Sequence, residues 1–104
     1  ALVTEEFREA FKNVDILISP TCPNTAFELG AKSSDPLAMY LTDIATISCN
    51  LAGLPGISVP AGFDSTGMPI GLQILAPQFE EARLFNFAHR FEQENDFYTK
   101  LANV

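Results

Sequence analysis

A chain of 104 residues can form at most one domain, and with 47% hydrophobic residues it is neither disordered nor low in complexity. Its formal net charge of −7 excludes a basic grip on nucleic-acid phosphates, and no run approaches the roughly 20 apolar residues that span a membrane. Cys22 and Cys49 are too few for a disulfide framework and are expected to be reduced.

The chain opens without Met, and Ala1-Leu2-Val3 leads straight towards a helix, as expected of a piece cut from a longer protein. From about Thr4 to Asn13 the pattern predicts an amphipathic helix. Phe7, Ala10, Phe11 and Val14 recur at helical spacing, while Glu5, Glu6, Arg8, Glu9 and Lys12 face water. Val14 to Ser19 (VDILIS) predicts a short buried strand stopped by Pro20. The stretch Pro20-Thr21-Cys22-Pro23-Asn24-Thr25 cannot be regular, because its prolines remove donors and fix φ. A rigid loop leaving a strand end is a usual place for a binding site in an α/β fold; a turn that merely redirects the chain fits equally well. Ala26 to Ser34 offers only a connection.

The stretch from Asp35 to Gly62 organises the rest. Asp35 can cap a helix and Pro36 fits its first position. Leu37, Leu41, Ile44, Ser48 and Leu51 then share one face, expected to be buried. Gly53 supplies a left-handed end and Pro55 forbids continuation. Ile57 to Val59 predict a short strand closed by Pro60 and Gly62. Asp64-Ser65-Thr66-Gly67 is a turn, and Ile70 to Leu75 a second strand, in which Gly71 implies a close backbone approach or a bulge. A helix follows from about Glu80 to Glu94, burying Leu84, Ala88 and Phe91 with Phe85 and Phe87 on its flanks. The polar tail from Asn95 to Val104 is expected to fray. The order helix, strand, helix, strand, strand, helix gives an α/β class, with the later strands pairing as a hairpin.

Chemical motifs are few. There is no Gly-rich phosphate loop, no GxSxG elbow and no clustered set of metal ligands. Ser58 lacks the second glycine of an elbow, His89 has no evident nucleophile and Cys22 no evident base, so each reads as structural. Cys49 reads as packing, and Glu92, Glu94 and Asp96 as a solvated face. Asp43 stands apart. It lies beside the apolar face near Tyr40 and Ile47, with Thr46 and Asn50 on its own side. A carboxylate at the edge of a buried seam needs hydrogen-bond donors or a cation. It is either a hydrogen-bonded structural aspartate or a ligand for a cationic group.

Two segments then resemble a known family. Asn50-Leu51-Ala52-Gly53-Leu54-Pro55-Gly56-Ile57-Ser58-Val59-Pro60 and Met68-Pro69-Ile70-Gly71-Leu72-Gln73 resemble the C-terminal part of amidase-signature enzymes, as does the Pro20-Thr21-Cys22-Pro23 loop after VDILIS. Asp35-Pro36-Leu37-Ala38-Met39-Tyr40-Leu41-Thr42-Asp43 is similar to a narrower branch, the glutaminase (A) subunits of tRNA-dependent amidotransferases that convert Glu-tRNA(Gln) to Gln-tRNA(Gln). The resemblance runs from about Leu2 to Gln93.

It implies a mixed β-sheet flanked by helices, with residues 1–104 forming a single C-terminal segment. It also implies a serine nucleophile, a second serine in a cis peptide and a lysine base upstream. None of Lys12, Lys32, Lys100 or the six serines matches that motif, so the chain alone is expected to be inactive. Asp43 matches the aspartate that binds the α-ammonium of glutamine, Thr21 borders the pocket, and the arginine for the substrate carboxylate lies upstream. The implied partners are a B subunit that uses ATP and Mg²⁺, and a small C subunit. Contact with tRNA falls mainly to another subunit, no cofactor is expected in this chain, and the implied compartment is the cytoplasm or an organelle matrix. The isolated piece is expected to self-associate. Two alternatives stand: the equivalent piece of another amide hydrolase, and a self-standing non-catalytic interaction module.

Overall fold

The computed structural model describes residues 2–22, 25–26, 37 and 44–101, with the side chains of 44–45 excepted. Three strands form one sheet in the order β1-β3-β2, where β1 is Leu17–Pro20, β2 is Gly56–Phe63 and β3 is Pro69–Leu75. Both neighbours run antiparallel to β3. The expected hairpin is therefore present, and β1 joins it from the far side. Its turn closes through Asp64 N–H to the Met68 carbonyl at 2.9 Å and Gly67 N–H to the Asp64 carbonyl at 3.1 Å. Gly67 has φ +88, a conformation open to glycine at little cost.

Two strands differ from their predicted bounds. β1 starts at Leu17 rather than Val14 and includes Pro20. β2 runs through Pro60 to Phe63, with a register shift between Pro60 and Gly62. Each strand pairs only with β3 among the described residues, so a proline whose missing donor faces outward leaves the ladder intact.

Helix α1 spans Leu2–Phe11 and half-buries Phe7, Ala10 and Phe11. Lys12 and Asn13 close it as a turn, which leaves Val14 outside the helix and exposed. The Arg8–Glu5 and Lys12–Glu9 pairs lie on its wet side. Such exposed pairs contribute about 0.2–0.5 kcal/mol each at most.

Helix α2 is described over Ile44–Ala52. Gly53 N–H donates to the Asn50 carbonyl and Leu54 N–H to the Cys49 carbonyl, at 3.3 and 3.2 Å. With Gly53 at φ +69, this is the Schellman arrangement expected of a glycine stop. Of the expected buried face, Ser48 is half-buried, Leu41 and the Ile44 side chain lie outside the described residues, and Leu37 and Leu51 depart from it. Ala52 is buried and Cys49 half-buried, whereas Leu51 is 65% and Leu37 67% exposed.

Helix α3 (Glu81–Glu94) lies over the sheet through Leu84 and Ala88, both buried as predicted, with Phe91 packed beside them. Together with Val59, Ile74 and Ala76 these residues form the core, edged by Ile16, Ile57 and Leu72. The segment after α3 is ordered where fraying was expected. Asp96–Thr99 is a 3₁₀ turn, closed by the Thr99 hydroxyl donating to the Asp96 carbonyl at 2.7 Å. It brings the Phe97 ring over Gly62, where a Cβ would sit 3.7 Å from it. Among the described residues no helix is long and apolar enough to cross a membrane.

Candidate functional site

Successive side chains on a strand point to opposite faces. On β3 this sends Leu72 and Ile74 towards α3, and Gly71, Gln73 and Leu75 the other way. The register places Ser19 of β1 and Ser58 of β2 on either side of Gln73. A row of polar side chains thus crosses the sheet on the side away from the core. Gln73 is buried at 6% exposure, and its Nε2 donates to Ser19 Oγ at 3.2 Å. The Ser19 hydroxyl donates in turn to the Pro20 carbonyl at 3.1 Å. At the Leu75 end α2 covers this face. A Cβ on Gly56 would lie 3.0 Å from Cys49 Sγ and 2.9 Å from Leu75.

Beyond that row sits Thr21. Its N–H donates to the Gly71 carbonyl at 3.1 Å, extending the β1–β3 ladder by one residue. Its hydroxyl is 2.6 Å from Ser58 Oγ. Gly71 lies beneath the pair, and a Cβ there would come within 2.8 Å of Thr21 Oγ1 and 2.9 Å of Ser58 Oγ. Of the two roles predicted for this glycine, the close approach is the one it serves; the register shift lies on β2 opposite.

A second tie holds the same segment to the hairpin. Thr25 Oγ1 donates to Asp64 Oδ2 at 2.7 Å. Asp64 Oδ1 accepts from Thr66 N–H, the Thr66 hydroxyl and Met68 N–H, at 2.9, 2.7 and 3.0 Å. These donors, Thr25 first and then Thr66, favour the ionised form and hold the carboxyl well below the usual carboxylate range. The sequence marked Asp64 only as a turn residue. Its role as a hub was available in the Asp-x-Thr spacing, which lets a carboxylate accept from the backbone two residues on.

Of the sequence-predicted site residues, Thr21 is therefore placed on the polar face, hydrogen-bonded to Ser58. Asp43 lies outside the described residues. Ser58 is exposed and hydrogen-bonded to Thr21. Cys22 is exposed. Cys49 packs as expected, its thiol donating to the Leu54 carbonyl at 3.1 Å, and burial pushes that thiol up. His89 is exposed on α3. Asp96 pairs with Lys100 at 3.6 Å on the surface. A shallow groove of about 310 Å³ runs between α1 and the Pro77–Gln78 turn, and no residue of the polar face lines it. Among the described residues no group of three or more His, Cys, Asp or Glu could hold a metal ion.

The amidase family model matches residues 1–85 of the chain. The A subunit of glutamyl-tRNA(Gln) amidotransferase from Methylococcus capsulatus is 57% identical over 99 residues, 95% of this chain and 20% of that protein. Its counterpart in Pseudomonas putida is 55% identical over 102 residues, 98% of this chain and 21% of that protein. The chain thus spans about a fifth of the length of these relatives. Among solved structures, the corresponding glutamyl-tRNA(Gln) amidotransferase chain of Thermotoga maritima superposes with a TM-score of 0.75 at 44% identity, over 79% of this chain and 18% of that one. A 6-aminohexanoate cyclic dimer hydrolase superposes with a TM-score of 0.85 at 26% identity, over 96% and 23%.

Proposed function

The chain belongs to the amidase family, and on that premise we propose that it is the C-terminal segment of the glutaminase (A) subunit of a tRNA-dependent amidotransferase. In this reading it forms part of the wall of the glutamine site, and ammonia released there converts Glu-tRNA(Gln) to Gln-tRNA(Gln). The observation that carries the reading is the level of sequence identity to such subunits across nearly the whole chain. Shape alone does not select it, because the fold superposes at least as well on a hydrolase of a different amide.

The division of labour follows from the residues present. The nucleophile and base belong to another part of the subunit, and this segment supplies binding groups. Asp43 takes the α-ammonium of glutamine, a cationic group that would meet the need of a carboxylate at the edge of an apolar face. Thr21 lies at the border of the same pocket. ATP and Mg²⁺ act on the partner B subunit, the C subunit binds at the A–B junction, and tRNA is held mainly outside this acidic segment.

The test is Asp43→Asn in the intact enzyme, which keeps the shape and removes the charge. A hydrogen bond to a charged group is worth about 1.5–3 kcal/mol, and an unpaired buried charge costs about 3–5 kcal/mol. At about 1.4 kcal/mol per factor of ten, glutamine-dependent kcat/KM falls roughly 10²- to 10³-fold. Supplied ammonia bypasses the pocket, so amidation from ammonia stays near wild type. Equal loss with both nitrogen donors would return Asp43 to a structural role. The shape match to the cyclic dimer hydrolase favours a second reading, a hydrolase of simple amides. A substrate without an α-ammonium has no use for the charge, so under that reading the Asn variant hydrolyses its amide unimpaired.

A further inference from the structure

Among the described residues, Thr21 and Thr25 are held by the β2–β3 hairpin, the first through Ser58 and Gly71 and the second through Asp64. At Thr21 the geometry leaves little freedom. The backbone is fixed by the bond to the Gly71 carbonyl, and the hydroxyl is fixed by Ser58 Oγ at 2.6 Å. The space both hydroxyls occupy exists because residue 71 has no Cβ. We propose that Ser58 is a positioning residue for the amide site: its hydroxyl donates to Thr21 Oγ1 and so aims the Thr21 O–H outward, at an oxygen of the bound amide substrate. The inference rests on the proposed place of Thr21 at the border of the substrate pocket.

The chemistry of two hydroxyls allows that assignment, since either oxygen can be the donor at this distance. Each has one proton and two lone pairs, so a close pair uses one proton and leaves the other free. If Ser58 donates, Thr21 keeps its proton for a substrate, and the bond it accepts makes that proton a better donor. Ser58 itself need not touch the substrate. Its effect falls on binding rather than on the chemical step.

The experiment uses the intact enzyme carrying Ser58→Ala, a change at an exposed strand position that leaves the core untouched. The expected result is a KM for glutamine raised about three- to tenfold, the size of one neutral hydrogen bond, with kcat within about twofold. Thr21→Val raises KM at least as much, and Ser58→Ala adds nothing further on top of it, because the first removes the proton that the second only leaves unaimed. Thr21→Ser, which keeps the hydroxyl, recovers most of the loss. An unchanged KM in Ser58→Ala, with glutamine still turned over, overturns the inference and leaves the parent reading standing. So does a fall in glutamine- and ammonia-dependent rates together with a lowered melting temperature, because that marks structural damage alone. An intact enzyme that releases no ammonia from glutamine overturns the parent reading and this inference with it.

Discussion

One sheet presents two faces that are built on different physics. Towards α3 it offers Val59, Leu72 and Ile74, closed over by Leu84 and Ala88. Away from α3 it offers Ser19, Ser58 and Gln73, with Thr21 seated above the gap at Gly71. The first face gains from area, since a fully buried aliphatic side chain contributes about 1.5–3 kcal/mol in rough proportion to the apolar surface removed from water. The second gains from pairings, each net about 0.5–1.5 kcal/mol and each dependent on direction. A surface held by area can be altered in shape with graded cost. A surface held by pairings keeps its side chains in fixed orientations, which is what a binding wall requires.

That contrast can be broken most severely at Ile74, the one large side chain with no exposure among the described residues. Ile74→Ala removes its packing and leaves a void, so stability falls by about 2–5 kcal/mol, read from the midpoint of denaturant unfolding. A loss below about 1 kcal/mol would mean that the core lies elsewhere.

An intermediate effect is expected on the polar face at Gly71. Gly71→Ala places a methyl group against two hydroxyls, and overpacking of this kind costs about 1–3 kcal/mol. Adding Ser58→Ala removes one of the clashing atoms, so the double variant recovers part of the loss. Strict additivity of the two changes would deny the interlock.

The smallest effect belongs to Asp64. Its folded pKa is depressed, so its contribution is fully present above the unfolded carboxylate value near ~4 and is lost as pH falls through the folded one. Melting temperature is therefore expected to be insensitive to Asp64 between neutrality and that value, and to drop below it. In Asp64→Asn the part of the acid-side drop that this residue causes disappears. A variant whose profile matches wild type throughout would show that the charge of Asp64, held by Thr25, Thr66 and Met68, adds nothing to stability.

How far the sequence led depends on the range of the interaction. Local signals were reliable. Asp64 to Gly67 marked the hairpin, the spacing of Leu84, Ala88 and Phe91 marked the buried stripe of α3, and Gly53 marked the end of α2. Signals whose meaning depends on a partner were misread. Pro20 and Pro60 looked like strand stops because proline lacks a donor, yet that matters only where a second neighbour needs it. Whether a strand is an edge is a fact about the whole sheet. Leu51 looked buried because it continued an apolar stripe, whereas Ala52 and Cys49 are the residues that α2 turns inward. The Thr21–Ser58 pair joins residues 37 apart and leaves no local pattern. Its one trace was a glycine inside a strand, whose need for space was legible although its neighbours were not. Asp43 was marked by chemistry alone and lies outside the described residues.

The strand order also sets a sequence of events during folding. β2 and β3 are joined by a short turn and can zip together from it, at a small loss of chain entropy. β1 must be captured from far away, since Ser19 and Gln73 are separated by 54 residues, and a contact of that range is rewarded only after a long loop has closed. Thr21 sits at the end of that late-docking strand. The polar face that carries it is therefore complete only once the most distant pairing has formed, so a partly opened chain can keep its hairpin without the Thr21–Ser58 pair.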